Sequence, residues 1–135
     1  MATAGTSGYV GIFDWFRLSS SVALPPAAQQ AYPAGVPWAA PGVVEIENYD
    51  QGGAGVAYSD TTAANEGGKY RTGEGVDIAA VAGAGNGYML GWAKAGEWLE
   101  YTVSAATSGT YALEMRYSAL GAGGQIRLLV DGTDA

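Results

Sequence analysis

The sequence predicts an all-β protein, an antiparallel β-sandwich, and three observations support this prediction. Short alternations of apolar and polar residues recur along residues 43–135, with glycine-containing turns between them. The chain has 22 glycines in 135 residues and only 14% charged residues, which is typical of packed strands and turns rather than disorder. No window shows a convincing 3.6-residue apolar period, so we expect no amphipathic helix. The length fits one domain with one modest core.

The first predicted element is the strand "GYVGIFDWFRLS", residues 8–19. Its alternation places Val10, Ile12, Asp14 and Phe16 on one face. An unpaired carboxylate among apolar neighbours costs several kcal/mol, so Asp14 should have a partner. A cation or backbone N–H donors would be the simplest partners.

All five prolines lie in the next segment, residues 19–42, among alanines and serines. This segment has no apolar period and is stiffened by proline, which is typical of a linker. The sequence therefore predicts a leading segment 1–18, a Pro/Ala-rich linker 19–42 and a main body 43–135.

The body is predicted to contain a strand at "VVEIENYD" (43–50) and a later strand at "GEWLEYTV" (96–103), which would place Trp98 in the core. Two more strands are predicted at "YALEMRYS" (111–118) and "QIRLLVDG" (125–132). Their alternation predicts these inward-facing residues: Tyr111, Leu113, Met115, Tyr117, Ile126, Leu128 and Val130. Asp131-Gly132 is a strong hairpin signal, but the strand that should return from it is expected to be missing.

Charge and composition exclude several classes of function. The net charge of -7 and the pI near 4.2 argue against nucleic acid or anionic membrane as a partner. The absence of cysteine and histidine excludes disulfides, thiol nucleophiles, serine–histidine catalysis and ordinary zinc sites. No apolar run approaches the roughly 20 residues of a membrane helix. The N-terminus lacks a basic region followed by an apolar core, so no secretion signal is expected.

Several motifs occur together in the body: "EIENYDQGGAGVAYSDTTAANEGGKYRTGEGVDI", "GYMLGWAKAGEWLEYTV", "GTYALEMRYS" and "LLVDG". In order and spacing they resemble a family 6 carbohydrate-binding module, which implies a jelly-roll β-sandwich found beside glycoside hydrolases in secreted proteins. The leading "GYVGIFDWFRL" resembles the last strand of such a module, while further strands of the family are missing. The chain is thus expected to be a fragment of a tandem array or a permuted module. Its edges would be covered by fold-back or by strand exchange in a homo-oligomer.

The acids of "VVEIENYD" are candidate metal ligands. On a strand, Glu45 and Glu47 would point to the same face with Cα atoms about 6.6 Å apart, close enough to share a cation. Oxygen ligands without histidine or cysteine favour calcium. The resemblance implies a structural calcium held by Glu45, Glu47, a backbone carbonyl of "GGKYR" (ending at Arg71) and the last-strand aspartate, which Asp14 matches. The alternative is a solvated acidic pair.

Aromatic rings stack on the apolar faces of sugars, while amides and acids bind the hydroxyl groups. Trp92, on a loop between glycine and alanine, matches the aromatic platform that the resemblance implies. Neighbouring loops carry further candidates for the cleft: Tyr88, Asn86, Glu74 and Tyr70. The alternative for Trp92 is a lid over the core. The chain departs from the family at Ile12, where an asparagine is usual, and the second platform aromatic lies in the missing segment.

Three functions remain open from the sequence. The first is non-catalytic binding of a polysaccharide or oligosaccharide (β-glucan, xylan or algal galactan) with structural calcium. The second is an assembly fragment stabilised by calcium and strand exchange. The third is a minimal glycosidase, because "EIENYD" has acids at the spacing of the catalytic strand in family 16 glycoside hydrolases, although a body of this size offers little wall for a cleft.

Overall fold

A computed structural model of the chain describes residues 28–118, 121 and 125–135. The predicted leading strand, with Asp14, lies outside the described residues. The described residues contain eight short strands and one 3₁₀ turn (Ile46–Asn48), with no α-helix among them. The strands are β1 (Trp38–Ala40), β2 (Tyr58–Ser59), β3 (Ile78–Ala80), β4 (Tyr88–Leu90), β5 (Trp98–Leu99), β6 (Val103–Ala105), β7 (Leu129–Val130) and β8 (Thr133–Asp134). In this part of the chain, no helix has the length and apolar character to cross a membrane.

The strands form four pairs. Strands β2 and β5, β3 and β4, and β7 and β8 pair in antiparallel fashion, whereas β1 and β6 are parallel. In the β3–β4 hairpin Ile78 lies opposite Leu90, and across β2–β5 Tyr58 lies opposite Leu99. These cross-strand pairs place apolar side chains side by side, which is how a sheet gains most of its stability.

The core lies between the middle strands and the segment that follows the 3₁₀ turn. Tyr49, Ala57, Tyr58, Val76 and Ile78 are buried and form one cluster. The Tyr49 and Tyr58 rings meet edge to face with centroids 5.4 Å apart, a favourable aromatic geometry. Partly buried side chains extend this cluster: Tyr70, Tyr88, Leu90, Leu99 and Tyr101.

The prediction of a strand over residues 43–50 was wrong. Residues Ile46–Asn48 form a 3₁₀ turn, closed by the Asn48 N–H donating to the Glu45 carbonyl at 2.9 Å. This bond joins residues three apart, as in any 3₁₀ turn. Glu45 and Glu47 therefore do not share a face in the way that strand geometry would require.

The single strand predicted at "GEWLEYTV" is two strands, β5 and β6, with different partners. Between them, the Asp50 carboxylate accepts the Thr102 N–H at 2.9 Å, and the Asp50 N–H donates to the Glu100 carbonyl at 2.9 Å. These bonds divert the backbone from a continuous ladder. Trp98, predicted to be core, is 39% exposed.

The strand predicted over 111–118 is also not found. Its four expected inward side chains are exposed, as are those of the 125–132 segment. The physical reason is that no neighbouring strand among the described residues covers this face, and alternation alone does not bury a side chain.

The hairpin signal at Asp131-Gly132 is confirmed. Both residues have left-handed backbone angles, with φ of 49° and 77°, as a two-residue type I′ turn requires. The return strand, expected to be missing, is present as the two-residue β8.

The described part of the proline-rich segment packs against the body. Strand β1 pairs with β6, and Gln30 forms a two-way backbone bridge with Gln51. Ala31 is buried. The linker interpretation did not anticipate these contacts, although the division of the chain into domains stays a prediction.

Candidate functional site

The site is organised by the end of the 3₁₀ turn and the two residues that follow it. Four consecutive residues there are buried: Glu47, Asn48, Tyr49 and Asp50. Two of them carry carboxylates, and burying a charge is costly unless it is paired. The partners of these two carboxylates therefore decide what the segment does.

Asp50 is fully satisfied by hydrogen bonds. Its carboxylate accepts from the Gln29 side-chain amide at 2.7 Å, from the Thr102 N–H at 2.9 Å and from the Thr102 hydroxyl at 2.6 Å. These bonds join three distant parts of the chain. Asp50 is thus a structural residue that fastens the proline-rich segment and the β5–β6 connection to the core.

Glu47, in contrast to Asp50, has no hydrogen-bond partner for its carboxylate among the described residues. Its side chain is completely buried. A buried carboxylate without donors is strongly unfavourable, so it calls for a cation or for a proton. Glu45 precedes it, and its carboxylate lies against Gly85 in the β3–β4 turn, where an added Cβ would collide with it.

The charge of Glu47 acts on two nearby phenols. Burial, and then the neighbouring Tyr32 phenol and the negative charge of Glu47, raise the pKa of Tyr70 to about 12. Burial, followed by the charge of Glu47, also raises the pKa of Tyr101. Both effects favour neutral tyrosines around the carboxylate.

A row of three tyrosines lies on the same side of the core. The Tyr32 and Tyr70 ring centroids are 6.0 Å apart and edge to face, and those of Tyr70 and Tyr88 are 4.9 Å apart and tilted. The Tyr70 hydroxyl donates to the Asn48 side-chain oxygen at 2.8 Å. This bond fixes the middle ring of the row, although Tyr70 has a left-handed backbone with φ of 51°.

Arg71 and Glu74 form a charged centre beside this row. The Arg71 guanidinium lies 4.5 Å from the Tyr32 ring centroid and 3.5 Å from that of Tyr49. It donates to the Tyr49 carbonyl and, at 2.8 Å, to the Asp50 carbonyl. Its ion pair with Glu74 measures 3.0 Å, and Glu74 also accepts the Tyr49 hydroxyl at 2.6 Å.

An open cleft of about 630 Å³ lies over this charged centre. Its lining comprises Tyr32, Gln51, Arg71, Glu74 and three glycines. An aromatic ring, an amide and a carboxylate around one concave surface can stack on an apolar face and bind hydroxyl groups.

The family model for carbohydrate binding module (family 6) matches residues 66–135. The chain belongs to this family. No curated protein matches the chain. The module is accordingly a β-sandwich protein of a carbohydrate-binding family, and the prediction from the motifs is confirmed. The matched range includes the residues from Tyr70 to Trp92 that the sequence selected, and it does not include Glu45 or Glu47.

The module brings some of the predicted sugar-binding residues together. Tyr70 packs on Tyr88, and Glu74 pairs with Arg71 in the cleft. Glu74 is the one of the five predicted sugar-binding residues that lines this cleft; the other four, Tyr70, Tyr88, Trp92 and Asn86, do not.

Trp92 lies just after β4 and is 54% exposed, with a left-handed φ of 50°. Asn86 is exposed in the β3–β4 turn. Their assignment to sugar binding stays a prediction, as does the alternative that Trp92 is a partly buried lid over the core.

Two cleft residues, Tyr32 and Gln51, were not predicted. Tyr32 stands in the proline-rich segment, and no periodicity distinguishes it there. The available signal was compositional, because an aromatic residue in an Ala/Pro-rich linker needs a surface to pack on. Gln51 is held by the Gln30 bridge, a contact between residues 21 positions apart that local pattern cannot reveal.

The predicted metal ligands have different environments. Asp14 lies outside the described residues, and within the described part no three acidic side chains converge on one point. The Arg71 carbonyl accepts the Glu74 N–H at 3.1 Å, and its guanidinium is engaged with Tyr49, Asp50 and Glu74. The partnerless carboxylate of Glu47 is the observation in this structure that fits a hard cation.

Proposed function

We propose that this module binds a polysaccharide without cleaving it, in the class of β-glucan, xylan or algal galactan. Membership of a carbohydrate-binding family supports binding of sugar in general. The observation that carries the finer proposal is Trp92, a large aromatic side chain that stays 54% exposed next to the Tyr88 strand. An exposed indole offers a flat apolar face of the kind that stacks on a sugar ring.

Isothermal titration with laminarin, xylan and agarose oligosaccharides tests this proposal. We expect heat with at least one of these ligands and about fivefold weaker binding by Trp92→Ala, because an aromatic stack contributes about 1 kcal/mol. Trp98→Ala is the matched control and should bind like the wild type. Absence of binding to every ligand by the wild-type protein would contradict the proposal.

We further propose that a structural calcium ion neutralises Glu47. Calcium supplies a hard cation for carboxylate and carbonyl oxygens and can replace the missing donors around this side chain. Glu45, the last-strand aspartate Asp14 and a carbonyl near Arg71 complete the proposed ligand set. Both proteins should be metal-free after dialysis against chelator. After calcium is added back, metal analysis should show one bound calcium per chain in the wild type and none in Glu47→Gln.

The structure offers no support for hydrolysis by the acids of "EIENYD". Glu47 is completely buried, and Asp50 is saturated by its bonds to Gln29 and Thr102. Glu45, the partner of Glu47 in the glycosidase hypothesis, lies against Gly85 in the β3–β4 turn, and neither glutamate lines the cleft, so we do not propose a glycosidase. The proposed setting is extracellular, as an accessory module of a glycoside hydrolase, in keeping with the resemblance described from the sequence.

A second candidate function is assembly by strand exchange. It is favoured by the exposed apolar side chains of the 111–118 segment and of β7, which form the kind of surface that a further strand covers. Light scattering with increasing protein concentration tests this candidate. A dimer that dissociates in Leu113→Glu would support it, and a monomer at all concentrations would exclude it.

A further inference from the structure

The cleft above Arg71 and Glu74 has an aromatic wall that comes from outside the residues matched by the family model. Tyr32 supplies this wall, and it belongs to the proline-rich segment. It lies between two anchors. The Gln30–Gln51 bridge precedes it, with N–O distances of 3.0 and 2.7 Å, and the Gly35 N–H donates to the Ala31 carbonyl at 2.8 Å after it. Tyr32 is therefore held at the cleft in a defined position.

The floor of the cleft is electrically balanced. Arg71 and Glu74 are the charged residues among those that line it, and they form an ion pair at 3.0 Å. Three N–H groups of the Arg71 guanidinium already donate to Tyr49, Asp50 and Glu74. An anionic ligand would have to compete with Glu74 for this cation, in a chain whose net charge is -7. The balance favours an uncharged ligand.

The remaining walls are bare backbone. A Cβ built on Gly53 or Gly73 meets no atom within 4 Å, so both positions leave the cleft open. The volume of about 630 Å³ lies within the usual range of roughly 300–1,000 Å³ for small-molecule sites. Gln51 and Glu74 add an amide and a carboxylate to the lining beside Tyr32, and both groups bind hydroxyls well.

We propose that this cleft is a glycan-binding subsite in which Tyr32 stacks on the sugar, and that it selects neutral over uronic or sulfated glycans. The inference rests on the proposed function and adds to it a second contact surface besides Trp92. It also assigns the proline-rich segment a part in recognition, because that segment carries the aromatic wall.

The test compares a variant that fills the cleft with one that adds the same side chain elsewhere. Gly73→Leu places an isobutyl group in the cleft, and Gly109→Leu places it at an exposed position where an added Cβ also meets no atom within 4 Å. Titration with laminarin or xylan oligosaccharides should show at least tenfold weaker binding for Gly73→Leu and unchanged binding for Gly109→Leu. Tyr32→Ala should weaken binding about tenfold, while alginate and carrageenan should bind at least tenfold more weakly than the neutral glycans.

The outcomes separate the inference from the function on which it rests. Wild-type binding with Gly73→Leu and Tyr32→Ala unaffected would overturn the subsite and leave the module a glycan binder. Equal binding of neutral and acidic glycans would overturn the charge selection. No binding of any glycan by the wild type would overturn the proposed function, and the subsite with it.

Discussion

Residues 45–101 and the described residues of 103–135 differ in how their side chains are covered. In the first region, Tyr49 and Ile78 are completely buried, and distant segments meet at Asp50. In the second, Tyr117 and Ile126 are 73% and 68% exposed. Some hydrogen bonds there are local, as between the Tyr111 hydroxyl and the Thr107 carbonyl, while β6 and Arg116 bond to distant parts of the chain without burying these side chains. Both regions alternate apolar and polar residues, so partners from elsewhere in the chain, rather than pattern, create the core.

The largest expected effect is the difference in the free energy of unfolding between variants of two aspartates, Asp50 in the buried region and Asp134 in the exposed one. Asp50→Ala removes three hydrogen bonds to a buried carboxylate and leaves the Thr102 and Gln29 donors unpaired, which should cost roughly 3–5 kcal/mol. Asp134→Ala removes an exposed ion pair with Arg127 and should leave the stability unchanged within error. Urea denaturation of both variants measures the two effects. Equal losses would show that the two regions do not differ in the way described.

A smaller effect is expected from two isoleucines. Ile78 is completely buried and Ile126 is 68% exposed. Ile78→Ala should cost about 2–4 kcal/mol because it opens a cavity in the core. Ile126→Ala should change the free energy of unfolding by about 0.5 kcal/mol or less. If Ile126→Ala destabilised the protein as much as Ile78→Ala, the C-terminal face would have to be covered in solution.

The smallest expected effect is a change of melting temperature with pH. Tyr70 has a pKa raised to about 12 in the folded state, from an ordinary value of 10 in the unfolded chain. The folded state therefore holds this proton more tightly, and its contribution to stability is complete below pH 10 and is lost as the pH rises through 12. We expect the melting temperature to fall over this interval. Tyr70→Phe, which cannot ionise, should show a shallower fall, and an identical pH profile would contradict the assignment.

The parts of the fold predicted from sequence are those set by local chemistry. The all-β class and the Asp131-Gly132 hairpin follow from alternation and turn residues, which act over a few positions. The strand at 43–50 failed because the Asn48–Glu45 turn and the burial of Glu47 depend on contacts with later segments.

The candidate site divides in the same way. Of the residues that the motifs selected for sugar binding, Glu74 lines the cleft, whereas Tyr70 and Tyr88 pack on each other and do not line it, and their role in binding stays a prediction. Tyr32 was missed because its position depends on the bridge from nearby Gln30 to Gln51 and on the Arg71 guanidinium, and both Gln51 and Arg71 lie far from it in sequence. Contacts between residues far apart in sequence determine where such a side chain lies, and local residue propensities do not predict those contacts.

Asp50 and Glu47 are both buried acids, and only Asp50 has hydrogen-bond partners among the described residues, so we propose a cation as the partner of Glu47. The most direct test is the thermal shift on adding calcium to the wild type, Glu47→Gln and the exposed control Glu114→Gln. At one hundred times the dissociation constant, calcium should stabilise the wild type and Glu114→Gln by about 2.7 kcal/mol. We expect no shift for Glu47→Gln. A shift in Glu47→Gln equal to that of the wild type, or none in the wild type, would contradict the proposal.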